Sequence, residues 1–569
     1  MRDLLRYLKD YKKECVLAPF FKALEAAFEL LVPLVIARMI DVGIRESDRV
    51  LLFKCTLFLL ILALVGFLSS VTAQYFAAKA AVGFSTAVRR DLFSRMLHFP
   101  FSKIDEIGAS TMITRLTGDV NQVQAGVNMA LRLFLRSPYI VIGATIMSFL
   151  IDRKLALIFV GLILVLFTVV ALLSWSNLPL LAIVQEKMDT LTLAVRENLS
   201  GTRVIRAFNR QEEQIEGFTE KNGQFCLAQR RSGWRSALLN PVTYVVINLF
   251  IVWLIRAGAL RVHDGALSGG NLIALYNYMS QILIELIKFA SLLITVNRAL
   301  ASAKRISGIL RVPDAGGGTI KDGGDQRSSM VEFEHVSFSY HAGADEVLSD
   351  IDLSIKKGEW LGIIGGTGSG KTTLAHLLCG FYEPGKGSIY LNGLPLSTYE
   401  TRDLREKIGI VMQKSVLFSG TIADNLRWGN EHASDEQLLE AARAACCEDV
   451  IEAHGGLSGE VLQGGSNYSG GQRQRLCIAR ALVQKPELLI LDDSFSALDY
   501  VTDRKLKENL RKITPKPTVI IISQRTVSIS DCDHILVLED GVVAGFGTHK
   551  TLLKKCDIYA EIQASQGGE

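Results

Sequence analysis

Gly365-Gly366-Thr367-Gly368-Ser369-Gly370-Lys371-Thr372 follows the apolar run Trp360-Leu361-Gly362-Ile363-Ile364 and precedes Thr373-Leu374-Ala375-His376-Leu377-Leu378. The run reads as a buried strand and the following segment as a helix, so the glycines lie in a strand–loop–helix turn. Such a loop turns backbone N–H groups toward phosphate oxygens, and the N-terminus of the next helix adds its partial positive charge. In that frame Lys371 neutralises terminal phosphates and Thr372 offers a hydroxyl to Mg²⁺. The second apolar run, Leu488-Leu489-Ile490-Leu491, ends in Asp492. A carboxylate at the C-terminal end of a buried strand supplies the second contact that Mg²⁺ needs. Together these two runs point to an α/β nucleotide-binding domain, assigned to residues 329–569. Its first strand reads in the alternation of Val331-Glu332-Phe333-Glu334-His335-Val336-Ser337-Phe338.

Upstream the composition changes. The chain has 569 residues, too many for one core. Nearly all the long apolar stretches fall before residue 305. Six of them, roughly 16–43, 51–83, 129–150, 154–177, 237–262 and 266–300, reach the ~20 residues a bilayer-crossing helix requires. Connections after the first, third and fifth are short, near 44–50, 151–153 and 263–265. Those after the second and fourth are long, about 84–128 and 178–236, and carry clustered bases that include Arg89, Arg90, Arg95, Arg203, Arg206 and Arg210. The positive-inside bias places both long connections and both termini on the cytoplasmic side.

Residues 1–15 form a basic stretch with Leu4, Leu5, Leu8 and Tyr11 at helical spacing. This predicts an amphipathic elbow helix on the inner membrane surface and no cleavable leader. Residues 306–328, with Pro313, Gly316-Gly317-Gly318 and Gly323-Gly324, read as a linker between a 16–305 membrane domain and the nucleotide-binding domain. The net charge of +4 gives no case for nucleic acid. The nine cysteines show no metal-ligand spacing and no disulfide framework.

Ionisable residues interrupt the apolar segments: Glu25, Glu29, Arg38, Arg132, Arg136, Glu285 and Lys288. Each costs at least ~2.5 kcal/mol in hydrocarbon, so they are expected to face the bundle interior or snorkel from its ends. Two readings stay open for Glu25, Glu29 and Glu285: lining a translocation cavity, or mutual pairing. Pro33 and Pro241 are placed to kink their helices.

The stretch Asn467-Tyr468-Ser469-Gly470-Gly471-Gln472 narrows the family. Here the chain resembles ATP-binding cassette (ABC) proteins, whose Leu-Ser-Gly-Gly-Gln signature closes the nucleotide site of the opposite subunit; Tyr468 stands in place of the first Leu. The resemblance covers essentially the whole chain and is to type IV half-exporters: an all-α six-helix membrane domain followed by an α/β P-loop ATPase. It implies that Tyr340 stacks on adenine and that Gly365 to Thr373 hold the phosphates. Thr372, Gln413 and Asp492 would surround Mg²⁺, and Ser469 to Gln472 would face a partner's ATP. Ser496-Ala497-Leu498-Asp499 and Gln463-Gly464-Gly465-Ser466 match further interface loops, and coupling helices are expected within ~105–115 and ~205–213.

Two further positions depart from the family, both at this chain's own nucleotide site. Asp493 stands where the resemblance expects the catalytic Glu, and Gln524 where it expects the switch His. Asp493 is one methylene shorter, drawing the carboxylate back by roughly a bond length (~1.5 Å). Gln524 can donate a hydrogen bond but carries no charge. The chain thus resembles the degenerate-site subunit of bacterial heterodimeric multidrug exporters. Implied are ATP and Mg²⁺, a consensus partner half-transporter and an amphipathic small-molecule substrate, in the bacterial cytoplasmic membrane. Lipid flipping, peptide export, chelator import on an exporter fold and ATP sensing without transport are the rivals.

Overall fold

The computed structural model describes residues 2–313, 329–341 and 343–566, so the glycines at 316–318 and 323–324 lie outside the described residues. Two compact units emerge: residues 1–94 with 112–311, and residues 95–111 with 312–569.

In the first unit six long helices follow the six apolar segments: Lys12–Arg38, Arg49–Leu97, Arg136–Ile151, Arg153–Ser200, Gln211–His263 and Gly269–Leu310. Four of them, Arg49–Leu97, Arg153–Ser200, Gln211–His263 and Gly269–Leu310, run well past the apolar segments that nucleate them, because propagation adds one hydrogen bond per residue where no breaker intervenes. Among the described residues, five helical stretches are long and apolar enough to cross a membrane. The Lys12–Arg38 helix is not among them, since Lys22, Glu25 and Glu29 interrupt it. The short connections are fixed by caps. Asp152 accepts from the backbone of Lys154 and Leu155 at 2.8 and 3.0 Å and from Arg261 at 2.6 Å. Asp41 accepts from the Gly270 backbone at 2.8 Å.

The third segment departs from expectation. Read as continuous over 129–150, it breaks at Phe134–Leu135 and resumes as Arg136–Ile151. Pro138 explains the break. It has no N–H to donate and its ring collides with the carbonyl four residues back, that of Phe134; it is tolerated in the first turn of the helix that follows. The N-terminal stretch is helical, and Leu4 and Tyr7 in it are buried. The Tyr7 hydroxyl donates to Asp91 at 2.9 Å. Its apolar side therefore packs on protein, leaving Leu5 exposed. Close packing elsewhere uses small residues, as where a Cβ on Gly126 would stand 2.3 Å from the Ala299 side chain.

The second unit is built on sheets. Strands β1 (Ser329–Phe338), β2 (Leu348–Lys356), β4 (Lys386–Leu391) and β5 (Leu394–Pro395) form an antiparallel sheet in the order β2-β1-β4-β5. The central sheet contains β3 (Trp360–Gly365), β6 (Ile408–Val411), β9 (Leu488–Asp492), β10 (Thr518–Ile522), β11 (His534–Glu539) and β12 (Val542–Gly547). Its order is β12-β11-β3-β10-β9-β6, parallel except for the β11–β12 hairpin. A two-residue pair, β7 (Gly420–Thr421) with β8 (Glu460–Val461), completes the strands. Successive side chains alternate across the central sheet. Leu489, Leu491, Val519 and Ile521 enter one core, and Leu488, Ile490, Ile520 and Ile522 the other. Burial on both faces is why these strands read as unbroken apolar runs.

Candidate nucleotide site

Three neighbouring parallel strands bring the sequence-predicted groups to one edge. β10 lies between β3 and β9, with Ile522 beside both Ile363 and Asp492. The phosphate loop leaves the C-terminal end of β3, Asp492 closes β9 with Asp493 directly after it, and Gln524 follows β10. Beyond β9, β6 pairs Val411 with Leu491 and delivers Gln413, which is exposed. This is the edge where open α/β sheets bind ligands.

The loop needs its glycines. Gly368 and Gly370 have φ of 86° and 91°, in the left-handed region that L side chains avoid. A Cβ on Gly365 would stand 2.1 Å from the Leu538 carbonyl oxygen. Lys371 is buried; its ammonium donates to the Gly365 carbonyl at 2.8 Å, to that of Gly366, and to Ser369 Oγ at 3.3 Å. The Thr372 hydroxyl donates to Asp492 Oδ1 at 3.3 Å. A hydroxyl and a carboxylate oxygen this close form the hard-oxygen donor set that suits Mg²⁺. Burial pushes the Asp492 carboxyl above the usual carboxylate range; the neighbouring Asp493 charge adds to this, while Thr372 and Lys371 oppose it. Burial likewise lowers the Lys371 ammonium, partly offset by Asp492 and Asp493. Both groups thus gain from any partner of opposite charge.

Tyr340 lies half-exposed at the mouth, its hydroxyl 3.0 Å from Thr373 Oγ1. Its ring stands edge-on to Phe338 and Tyr382, with centroids 4.9 and 5.2 Å apart. Asp493 has φ of 47°, a conformation that Asp tolerates better than most residues. Its peptide is clamped: the amide donates to the Ile522 carbonyl at 2.9 Å, and the carbonyl accepts from Gln474 at 3.1 Å and Ser496 Oγ at 2.9 Å.

Ser469 caps the Gly470–Val483 helix in a reciprocal box with Gln472. The Gln472 amide donates to Ser469 Oγ at 3.3 Å, and the Ser469 amide to Gln472 Oε1 at 2.8 Å. Gly471 is required, since a Cβ there would lie 2.8 Å from the Ala497 carbonyl oxygen. Tyr468 is buried and stacks on His454 at 4.3 Å, so the enlarged residue is absorbed into the core.

Sequence reasoning missed two supports. Gln566, near the end of the described chain, donates to the Gln524 carbonyl at 2.6 Å and accepts from the Thr526 amide and hydroxyl at 2.8 and 3.0 Å. Tyr382 donates to Asp105 on the loop helix Phe101–Ile107, where Phe101 stacks on Phe381 at 4.1 Å. That helix begins four residues before the expected ~105–115 stretch, because Pro100 starts it and Gly108 (φ 76°) ends it. Its aromatic and carboxylate pairings, all within the second unit, were invisible to local patterning.

Comparison with known proteins agrees with this architecture. The family model described as ABC transporter transmembrane region matches residues 15–286, and that described as ABC transporter matches residues 348–496. An uncharacterized ABC transporter ATP-binding protein of Mycobacterium tuberculosis is 34% identical over 572 residues, covering 99% of this chain and 97% of that protein.

The chain belongs to the ABC transporter family.

An ATP-dependent lipid A-core flippase of Chromobacterium violaceum is 31% identical over 577 residues, covering 100% of this chain and 97% of its own. A bacterial Atm1-family ABC exporter with ATP bound superimposes with a TM-score of 0.82 at 22% identity, covering 98% of this chain and 99% of that one. The fold is that of an ABC half-exporter, a helical membrane domain followed by an α/β ABC ATPase. This ABC chain is accordingly a multi-pass membrane protein and an ATP-driven transporter subunit.

Proposed function

We propose that this chain is the ATP-holding half of an asymmetric heterodimeric exporter, moving amphipathic small molecules out across the cytoplasmic membrane by alternating access. One observation carries the reading: each residue type that would hold this chain's own ATP is present, while the two departures at that same site, Asp493 and Gln524, fall on positions that serve hydrolysis. Tyr340, Gly365 to Thr373 and Asp492 bind the nucleotide, with Thr372, Asp492 and Gln413 oriented to a Mg²⁺ ion, which would supply charge neutralisation at the phosphates. Asp493 holds its shortened carboxylate beside this site. Removing a well-placed general base typically costs ~10²–10⁴-fold in rate, so turnover here is slow. Ser469 to Gln472 complete the partner's consensus site, where most hydrolysis occurs. ATP closes the cassettes, the loop helices transmit closure to the membrane helices, and the partner's turnover resets them.

The Thr202–Ala207 helix supports a two-chain assembly. No residue in it is buried, and Val204 and Phe208 expose 60% and 74% of their surface. An exposed apolar pair on a cytoplasmic loop matches a docking role against a second cassette. The similarity to a lipid A-core flippase favours lipid as the second substrate reading.

The test is ATP hydrolysis by the purified chain alone and co-purified with a neighbour-encoded half-transporter, with ATP binding checked in both. Binding with near-background turnover alone, and rapid turnover with the partner, is expected. Robust turnover by the chain alone sinks the asymmetric reading in favour of a homodimer. So does equal slowing of the pair by Asp493→Ala and by Glu→Gln at the partner's catalytic position.

A further inference from the structure

Three helices of the membrane unit bring six charges together. Arg136, at the start of the Arg136–Ile151 helix, reaches Glu285 at 2.6 Å and both oxygens of Glu29 at 2.8 and 2.9 Å, and lies 3.9 Å from Glu25. Lys22 donates to Glu25 at 2.6 Å and to Ser70 at 3.1 Å. Lys288 and Ser137 donate to Glu285 at 2.9 and 2.8 Å. Three cations, Lys22, Arg136 and Lys288, balance three carboxylates, Glu25, Glu29 and Glu285.

The balance alone would describe a buried clamp, but its members differ in exposure. The side chains of Lys22, Glu25, Arg136 and Glu285 are at most 11% exposed, whereas Glu29 and Lys288 are each 42% exposed. Both exposed members line one cavity of about 330 Å³, together with Arg136, Glu285, Gln281 and the apolar Val32, Ile140 and Ile284. Two residues of that lining each carry a buried polar atom with no hydrogen-bond partner among the described residues: Arg136 Nε, a donor, and Gln281 Oε1, an acceptor. Unsatisfied buried groups cost free energy that a ligand of matching polarity would recover.

We propose that this cavity binds the zwitterionic polar group of an amphipathic substrate, one that carries a primary ammonium and a phosphate or carboxylate. The ammonium meets Glu29 and donates to Gln281 Oε1; the anionic group meets Lys288 and accepts from Arg136 Nε. A purely cationic ligand would face Lys288, and a purely anionic one Glu29, with no counter-charge in the ligand to offset the repulsion. The volume suits a polar group, and Val32, Ile140 and Ile284 receive the adjoining chain. This rests on the export reading and names its substrate class.

The test is binding of four probes to the purified full-length chain in maltoside micelles without nucleotide. They are lysophosphatidylethanolamine, an alkylamine and an alkyl phosphate of equal chain length, and chain-free phosphoethanolamine. The zwitterionic amphiphile should bind about tenfold more tightly than either singly charged one. Glu29→Gln should move the preference toward the alkyl phosphate and Lys288→Gln toward the alkylamine, each by about tenfold. Both substitutions leave the Arg136–Glu285 pair intact, and either one folding suffices for the test. Saturable phosphoethanolamine binding marks a water-soluble source of the zwitterion, and its absence beside lysolipid binding marks a lipid source. A wild-type preference below about threefold, or a folded variant whose preference does not move in its stated direction, overturns the proposal. Because nucleotide is absent, charge-selective binding survives even where ATP-driven export fails, so the two failures are distinguishable.

Discussion

The nucleotide edge and the membrane charge network are both clusters of buried or half-buried polar groups, but the chain builds them differently. At the nucleotide edge each group sits in a contiguous motif at the end of a parallel strand, and the sheet register does the assembly. In the membrane unit Glu29, Arg136 and Glu285 are single residues on three helices, brought together only by helix packing. Packing-built sites depend on every partner being present, and Arg136 is the shared partner.

Arg136→Met therefore tests that dependence most severely. It leaves Glu285 buried with only Lys288 and Ser137, and should destabilise the membrane unit by about 3–5 kcal/mol, read as a lowered melting temperature in detergent. A shift below about 1 kcal/mol would mean that the carboxylates find other partners and that the network is less coupled than its geometry indicates. At the motif-built site Lys371→Ala should weaken ATP binding on the order of 100-fold, from loss of charge-assisted hydrogen bonds. The melting temperature without nucleotide should stay close to wild type. Paired Asp493→Glu and Gln524→His should raise turnover of the chain alone by about tenfold or more; no rise would place the block elsewhere, for instance in the clamped left-handed peptide at residue 493. The smallest effect is on pH. Mg²⁺ needs Asp492 deprotonated, and its carboxyl is raised, so Mg²⁺-dependent nucleotide affinity should fall as pH drops through the mildly acidic range. The fall should vanish in Asp492→Asn, which starts from weaker affinity.

The same contrast explains what was legible in the sequence. The phosphate loop, Asp492, Ser469 to Gln472 and the two departures were readable because strand, loop and helix are adjacent in the chain. The six apolar segments were readable because the bilayer fixes their length. The break at Phe134–Leu135 was available in principle from Pro138, whose effect reaches four residues back. The loop helix Phe101–Ile107 was also available, since Pro100 and Gly108 bracket it. What local patterning could not supply was pairing across distance. Arg136 and Glu285 both stood out as charges in apolar segments, yet only packing shows them 2.6 Å apart. Gln566 beneath Gln524 and Tyr382 beside Tyr340 belong to the same class.

The aromatic contacts of the second unit have a thermodynamic consequence. Tyr340, the residue proposed to stack on the base, touches Tyr382, and Tyr382 holds Asp105 of the loop helix, whose Phe101 stacks on Phe381. A ligand that restrains Tyr340 restrains a group shared with that helix. Linkage is reciprocal, so whatever displaces the helix must alter nucleotide affinity by the same factor by which nucleotide biases the helix.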